Sequence, residues 1–130
     1  MYLFLDSSED GKIYFTLIFS AAKFETITYV GLKAQKGILF CFDDLLKKRK
    51  INLKNFKGFG VKLGAGRFTS ARVTVTFANT LSFLLKKPVI GLENFTVIKF
   101  LKKIKTSKKS FYLSAKYSGR PNIGPAKKDL

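Results

Sequence analysis

The sequence predicts an α/β fold: a mixed five-stranded sheet with helices on its faces, in the order βββαβαβα. Three observations carry that expectation. The chain opens with three runs rich in β-branched and aromatic residues, separated only by short turns. The apolar period then lengthens from strand-like to helix-like near Gly37, and again after Gly64. Short apolar runs follow each of these helical segments, so strands come first and then alternate with helices.

Each element has its own reason. Tyr2–Asp6 is a short apolar strand closed by an acid, and "SSEDGK" supplies turn residues. Ile13–Phe19 and Phe24–Val30 complete an antiparallel meander, with Phe24, Thr26, Thr28 and Val30 on one side of the third strand. Gly37–Lys50 places Ile38, Leu39, Phe42, Leu45 and Leu46 at helical spacing, and Lys47, Lys48 and Lys50 suit its negative C-terminal end. "INLKNF" is a connection, Gly58–Leu63 a fourth strand, and Thr69–Lys86 a second helix that Lys87 and Pro88 stop. Val89–Ile90 is a fifth strand, and Asn94 is placed to cap a third helix through about Lys103. The layout is that of a ribonuclease-H-like or actin-like (ASKHA) lobe over residues 1–105. Residues 106–130 form a basic tail, with a candidate strand at 111–117 followed by loop or disorder.

Composition bounds the function. At 130 residues and 46% hydrophobic, the chain suits one folded domain. No apolar run is long enough for a membrane helix, and the start lacks the marks of a signal peptide. The single cysteine, Cys41, reads as a small buried residue in a reducing, cytoplasmic setting. A net charge of +17 points towards nucleic acid. Yet only Arg49, Arg67, Arg72 and Arg120 among the 25 basic residues are Arg, and a Lys-heavy, Phe- and Ile-rich chain also arises from AT-rich coding.

The chemistry-bearing motifs are few. Asp6, at the end of the first strand, is the best catalytic candidate, but metal-assisted phosphate chemistry needs several converging carboxylates. The simpler reading, which the sequence favours, is that Asp6 hydrogen-bonds the turn at Ser7 and Ser8. There is no His and no Cys/His metal spacing, so no metal or cofactor is expected. "GAGRFTSAR" (Gly64–Arg72) lacks the spacing of a P-loop or a dinucleotide fingerprint. It reads as a tight strand-to-helix turn, although a helix N-terminus can accept an anion. The second helix is unusual: apolar or small residues cover most of its circumference, as they do on the first, and that suggests a partner surface.

The run Gly64–Phe95, "GAGRFTSARVTVTFANTLSFLLKKPVIGLENF", resembles the TsaB (YeaZ) family. The likeness rests on Gly64, Gly66, Phe68, Thr69, Arg72, Ala78, Leu81, Pro88 and Gly91. "LFLDSSED" (Leu3–Asp10) is similar to the family's opening, and "ILFCFDDLLKKRKI" to its first helix, so the resemblance spans Met1–Phe95. Ala65, Arg67 and Ser70 depart from the family's loop, and 130 residues leave no room for the second lobe of family members.

The resemblance implies a non-catalytic subunit that pairs with a larger TsaD-type catalytic subunit in forming tRNA N6-threonylcarbamoyladenosine. The partner faces it implies are those of the two helices: Leu39, Phe42, Leu46, Phe68, Thr69, Arg72, Val73, Thr76, Thr80 and Phe83, with Phe42 and Phe83 as anchors. A homodimer through the same faces is expected when TsaD is absent. Lys102, Lys103 and Lys105 before the basic tail, and Lys108, Lys109 and Arg120 within it, are candidate tRNA contacts. A basic RNA-binding module and a degenerate ribonuclease-H-like enzyme remain the alternatives.

Overall fold

The computed structural model describes residues 1–64 and 68–107; side chains of 68–71 lie outside that description. Five strands, β1 (Tyr2–Asp6), β2 (Lys12–Ser20), β3 (Lys23–Val30), β4 (Phe59–Lys62) and β5 (Val89–Leu92), form one sheet in the order β3-β2-β1-β4-β5. The first three are antiparallel, and β4 and β5 run parallel to β1. The helices are α1 (Gly31–Gln35), α2 (Ile38–Arg49), α3 (Phe68–Leu85) and α4 (Val97–Lys105). The element order agrees with the sequence reading, with α1 as an addition. It is a single short turn of helix entered through Gly31 at φ 63°, and five residues carry too little periodicity to be read.

Helices pack on both faces of the sheet, while the outer face of β3 is left exposed. On one, Leu3, Leu5, Phe15, Leu17, Phe59 and Val61 pack beneath α2 and α3. On the other, Phe4, Ile18 and Ile90 pack beneath Val97, Phe100 and Ile104 of α4. Gly60 permits that second contact, because a Cβ there would lie 2.5 Å from the Phe100 ring and 2.7 Å from the Phe4 ring.

One local expectation is corrected and one is refined. The cap of α4 is Thr96 and not Asn94: the Thr96 hydroxyl accepts from the Lys99 amide at 3.1 Å. "INLKNF" holds a 3₁₀ turn at Leu53–Asn55, closed by reciprocal bonds between Asn52 and Asn55. The tail strand expected at 111–117 lies outside the described residues.

Candidate functional site

The loop that follows β4 opens with Gly64 at φ 81°, a left-handed conformation, with the Glu93 side chain 3.2 Å from where a Cβ would stand. The turn therefore needs glycine for backbone reasons at this position. Gly66 and Arg67 lie outside the described residues. Asp6 is committed to its own turn: one carboxylate oxygen accepts from the Ser8 amide at 2.8 Å and from the Ser8 hydroxyl at 2.6 Å. Glu9 is held by Lys12 at 2.7 Å and by the Tyr14 hydroxyl at 2.8 Å. The Lys12 ammonium, followed by that hydroxyl, keeps its carboxyl below the usual range. No cluster of three or more metal-ligating side chains occurs among the described residues. No described helix is long and apolar enough to cross a membrane.

The expected partner face divides into two groups. Phe42 is buried, at 3% exposure, with its ring 5.2 Å from Phe77 and about 6 Å from Phe15 and Phe56. It is a core residue and is withdrawn as an interface anchor. Leu46 is half-buried against the same core. Leu39 (67% exposed), Val73 (49%) and Phe83 (74%) stand in solvent, as do Arg72, Thr76 and Thr80. The side chains of Phe68 and Thr69 are outside the described residues. Helical spacing alone could not separate Leu39 from Phe42: both fall on an apolar helix, and only the packing of Phe42 between α3 and the sheet decides which points inward.

On α3, Val75, Ala78, Leu81 and Ser82 face the sheet. Val73, Thr76, Thr80 and Phe83 recur at alternating steps of three and four along the outer side. The Thr80 hydroxyl donates to the Thr76 carbonyl at 2.8 Å, so its polarity is satisfied within the helix. Thr76, Asn79, Thr80, Phe83 and Leu84 line a shallow groove of about 330 Å³. Between Arg72 and Lys86 the helix carries no charged residue. Leu32, Phe40 and Leu84, which are also exposed, were not among the expected partner residues. The consecutive apolar run Leu39–Phe42 held the signal for Phe40, since one helix face cannot bury four neighbours. A second cavity of about 420 Å³ opens between the β1–β2 turn and the starts of α2 and α3, with Ile38 and Val73 in its wall. The two helices thus present one layer on one side of the sheet.

Of the expected tRNA contacts, Lys102 and Lys105 are exposed on α4. Lys103 is reassigned: its ammonium donates to the Gly91 carbonyl of edge strand β5 at 2.8 Å. Lys108, Lys109 and Arg120 lie outside the described residues.

A family model described as TsaD, tRNA N6-adenosine threonylcarbamoyltransferase, matches residues 30–121, more than half of the chain. The chain belongs to the TsaD family. Its fold is also that of YeaZ from Pseudomonas aeruginosa, with a TM-score of 0.60 at 22% identity over 72% of this chain and 44% of that one. A protein from Pseudomonas aeruginosa described as uncharacterised, with similarity to peptidase YEAZ, has a TM-score of 0.57 at 24% identity, with the same coverage. This TsaD-family chain therefore spans less than half the length of those two structures and has their actin-like fold. No curated protein matches its sequence. The family match begins at residue 30 and runs past Phe95, so it extends into the region that the sequence resemblance did not reach.

Proposed function

We propose that this chain is a non-catalytic partner subunit of the cytoplasmic machinery that forms N6-threonylcarbamoyladenosine in tRNA, and that it pairs with a TsaD-type catalytic subunit through α2 and α3. The observation that carries the reading is the uncharged outer side of α3, where Val73, Thr76, Thr80 and Phe83 lie in solvent, with Leu39 and Phe40 exposed at the start of α2. A stripe that alternates three and four residues apart fits a facing helix, and small Thr side chains let two helix backbones approach. Exposed Phe83 is the anchor, since large aromatic side chains often dominate such contacts. Membership of the TsaD family supports the pathway. The commitment of Asp6 to its turn supports a scaffold over an enzyme.

Thr76→Trp tests the pairing. The variant folds as the wild type does, by circular dichroism and thermal melt, and loses co-purification with the cognate TsaD-type subunit. Undiminished co-purification overturns the assignment. In the absence of that subunit the same face joins two copies of this chain, so sedimentation shows a dimer that Thr76→Trp converts to monomer.

A further inference from the structure

The sheet topology gathers the ends of three helices at one pole. Helices α2, α3 and α4 each run back from the C-terminal ends of the parallel strands, so all three finish beside the starts of β1 and β4. Contacts fix this closely. The Lys57 amide donates to the Met1 carbonyl at 2.7 Å, and the Phe59 amide to the Pro88 carbonyl at 3.0 Å. Ile104 of α4 lies 3.2 Å from where a Cβ on Gly58 would stand. Lys50, Lys54, Lys57, Lys86, Lys87 and Lys105 therefore share one pole, and none of the six has a carboxylate partner among the described residues. Glu25, Asp43 and Asp44 are each taken by another cation: Arg49, Lys47 and Lys48.

Compensation of helix dipoles explains some lysine at such ends. It does not explain the backbone. Lys50 and Lys86, at the ends of α2 and α3, sit at φ 53° and φ 56°, in the left-handed region. The chain closes around them in the usual way, with the Ile51 amide on the Leu46 carbonyl at 2.9 Å and the Lys87 amide on the Ser82 carbonyl at 3.1 Å. Glycine is the favoured residue there, and Asn the next. Two helices that both end on a strained lysine keep stability below what glycine would give, and they keep two cations at the same pole.

We propose that this pole, at the end of the sheet opposite the Asp6 turn, binds the sugar–phosphate backbone of a folded RNA without reading its bases. Lysine ammoniums are point charges suited to scattered phosphates, whereas base readout favours the planar forks of Arg, of which the pole offers, among the described residues, the Glu25-bound Arg49. Leu53 in the connection after α2 and Leu84 beside Lys86 are exposed at the same pole and would suit a bilayer surface, so the test below includes vesicles to separate that occupant from RNA. The inference does not depend on helix pairing, since it concerns RNA binding by this chain alone.

The test is fluorescence anisotropy of the full chain with a labelled RNA hairpin at 50, 100 and 200 mM KCl. About four phosphate contacts give a log–log salt slope near −3.5, and so about a hundredfold loss of affinity over that range. Lys50→Gly/Lys86→Gly should bind RNA at least about tenfold more weakly with a slope shallower by about 1.5, while its melting temperature rises by about 4 °C or more. Lys57→Glu/Lys105→Glu should weaken binding further. The charge-matched control Lys36→Glu/Lys99→Glu, at the opposite end, should bind within about threefold of wild type. Equal losses in the control, or an unchanged slope in the two pole variants, overturn the proposal. So does tighter binding to phosphatidylserine vesicles than to the hairpin.

Discussion

Helices α3 and α4 cover opposite faces of one sheet, and their outer sides differ. α4 has a mostly charged outer side: Val97, Phe100 and Ile104 point inward, Lys99, Lys102 and Lys105 stand in water, and Ile98 is exposed with them. α3 buries Val75, Ala78, Leu81 and Ser82, yet its outer side repeats apolar and small residues with no charge from Val73 to Leu85. The difference teaches that the sheet itself needs only one stripe from each helix. What lies on the far side of α3 is not demanded by the fold, and it is the part of the molecule on which the proposed pairing rests.

Phe42→Ala probes the inner side and should have the largest effect. Removing a ring packed among Phe15, Phe56 and Phe77 costs about 3–5 kcal/mol, which for a domain of this size leaves little of the fold at 37 °C. Urea titration measures it. A loss below about 1 kcal/mol would place Phe42 at the surface after all and blur the distinction between the two sides of the α2–α3 layer.

Gly60→Ala probes the α4 face with an opposite kind of damage. Its new methyl would meet Phe100 at 2.5 Å and Phe4 at 2.7 Å, and α4 must lift to admit it. Overpacking of this kind costs about 1–3 kcal/mol. The α2–α3 side has no contact with the new group, so hydrogen-exchange protection should fall in α4 and β5 and hold in α2. Uniform loss of protection would mean that the two faces do not respond separately.

Phe83→Ala should change the monomer by no more than about 0.5 kcal/mol, because a side chain 74% exposed has few contacts to lose. The same change should weaken pairing with a TsaD-type subunit at least about tenfold, a loss of about 1.4 kcal/mol or more. The contrast with Phe42→Ala, severe for the fold, is the clearest measure of how the inner and outer sides of these helices divide their work.

Most of the fold was legible because its signals are local. The meander is written in β-branched runs, and α3 and β5 in a change of period closed by Lys87 and Pro88. The misses came where the decision is made by neighbours. Nothing in "ILFCF" says that Phe42 turns inward while Leu39 does not; the answer lies in Phe15, Phe56 and Phe77, far along the chain. Lys103 looked like its lysine neighbours until the β5 edge placed the Gly91 carbonyl beside it. The lysine pole was invisible for the same reason. Its members are spread from Lys50 to Lys105, and only the return of three helices to one end brings them together.

The smallest expected effect separates the faces by charge. Two ion pairs that bridge elements lie around α2: Glu25 of β3 with Arg49, and Asp44 of α2 with Lys33 of α1. The Tyr29 hydroxyl donates to Asp44 at 2.8 Å, and this bond, with Lys48 and Lys33 nearby, keeps the Asp44 carboxyl below its usual range. Arg49 does the same for Glu25. Both carboxylates bind protons more readily in the unfolded chain than in the folded one. Their contribution is therefore present at neutral pH and disappears as pH falls through and below the ordinary carboxylate range. α4 carries no carboxylate at all. Hydrogen exchange at pH 7 and near pH 3.5, corrected for intrinsic rates, should show earlier loss of protection in β3 and α2 than in β1, β4 and α4. Asp44→Asn should remove part of that difference by weakening α2 already at pH 7. If α4 opens first on acidification, the stability of its face depends on charges elsewhere, and the two faces are not independent.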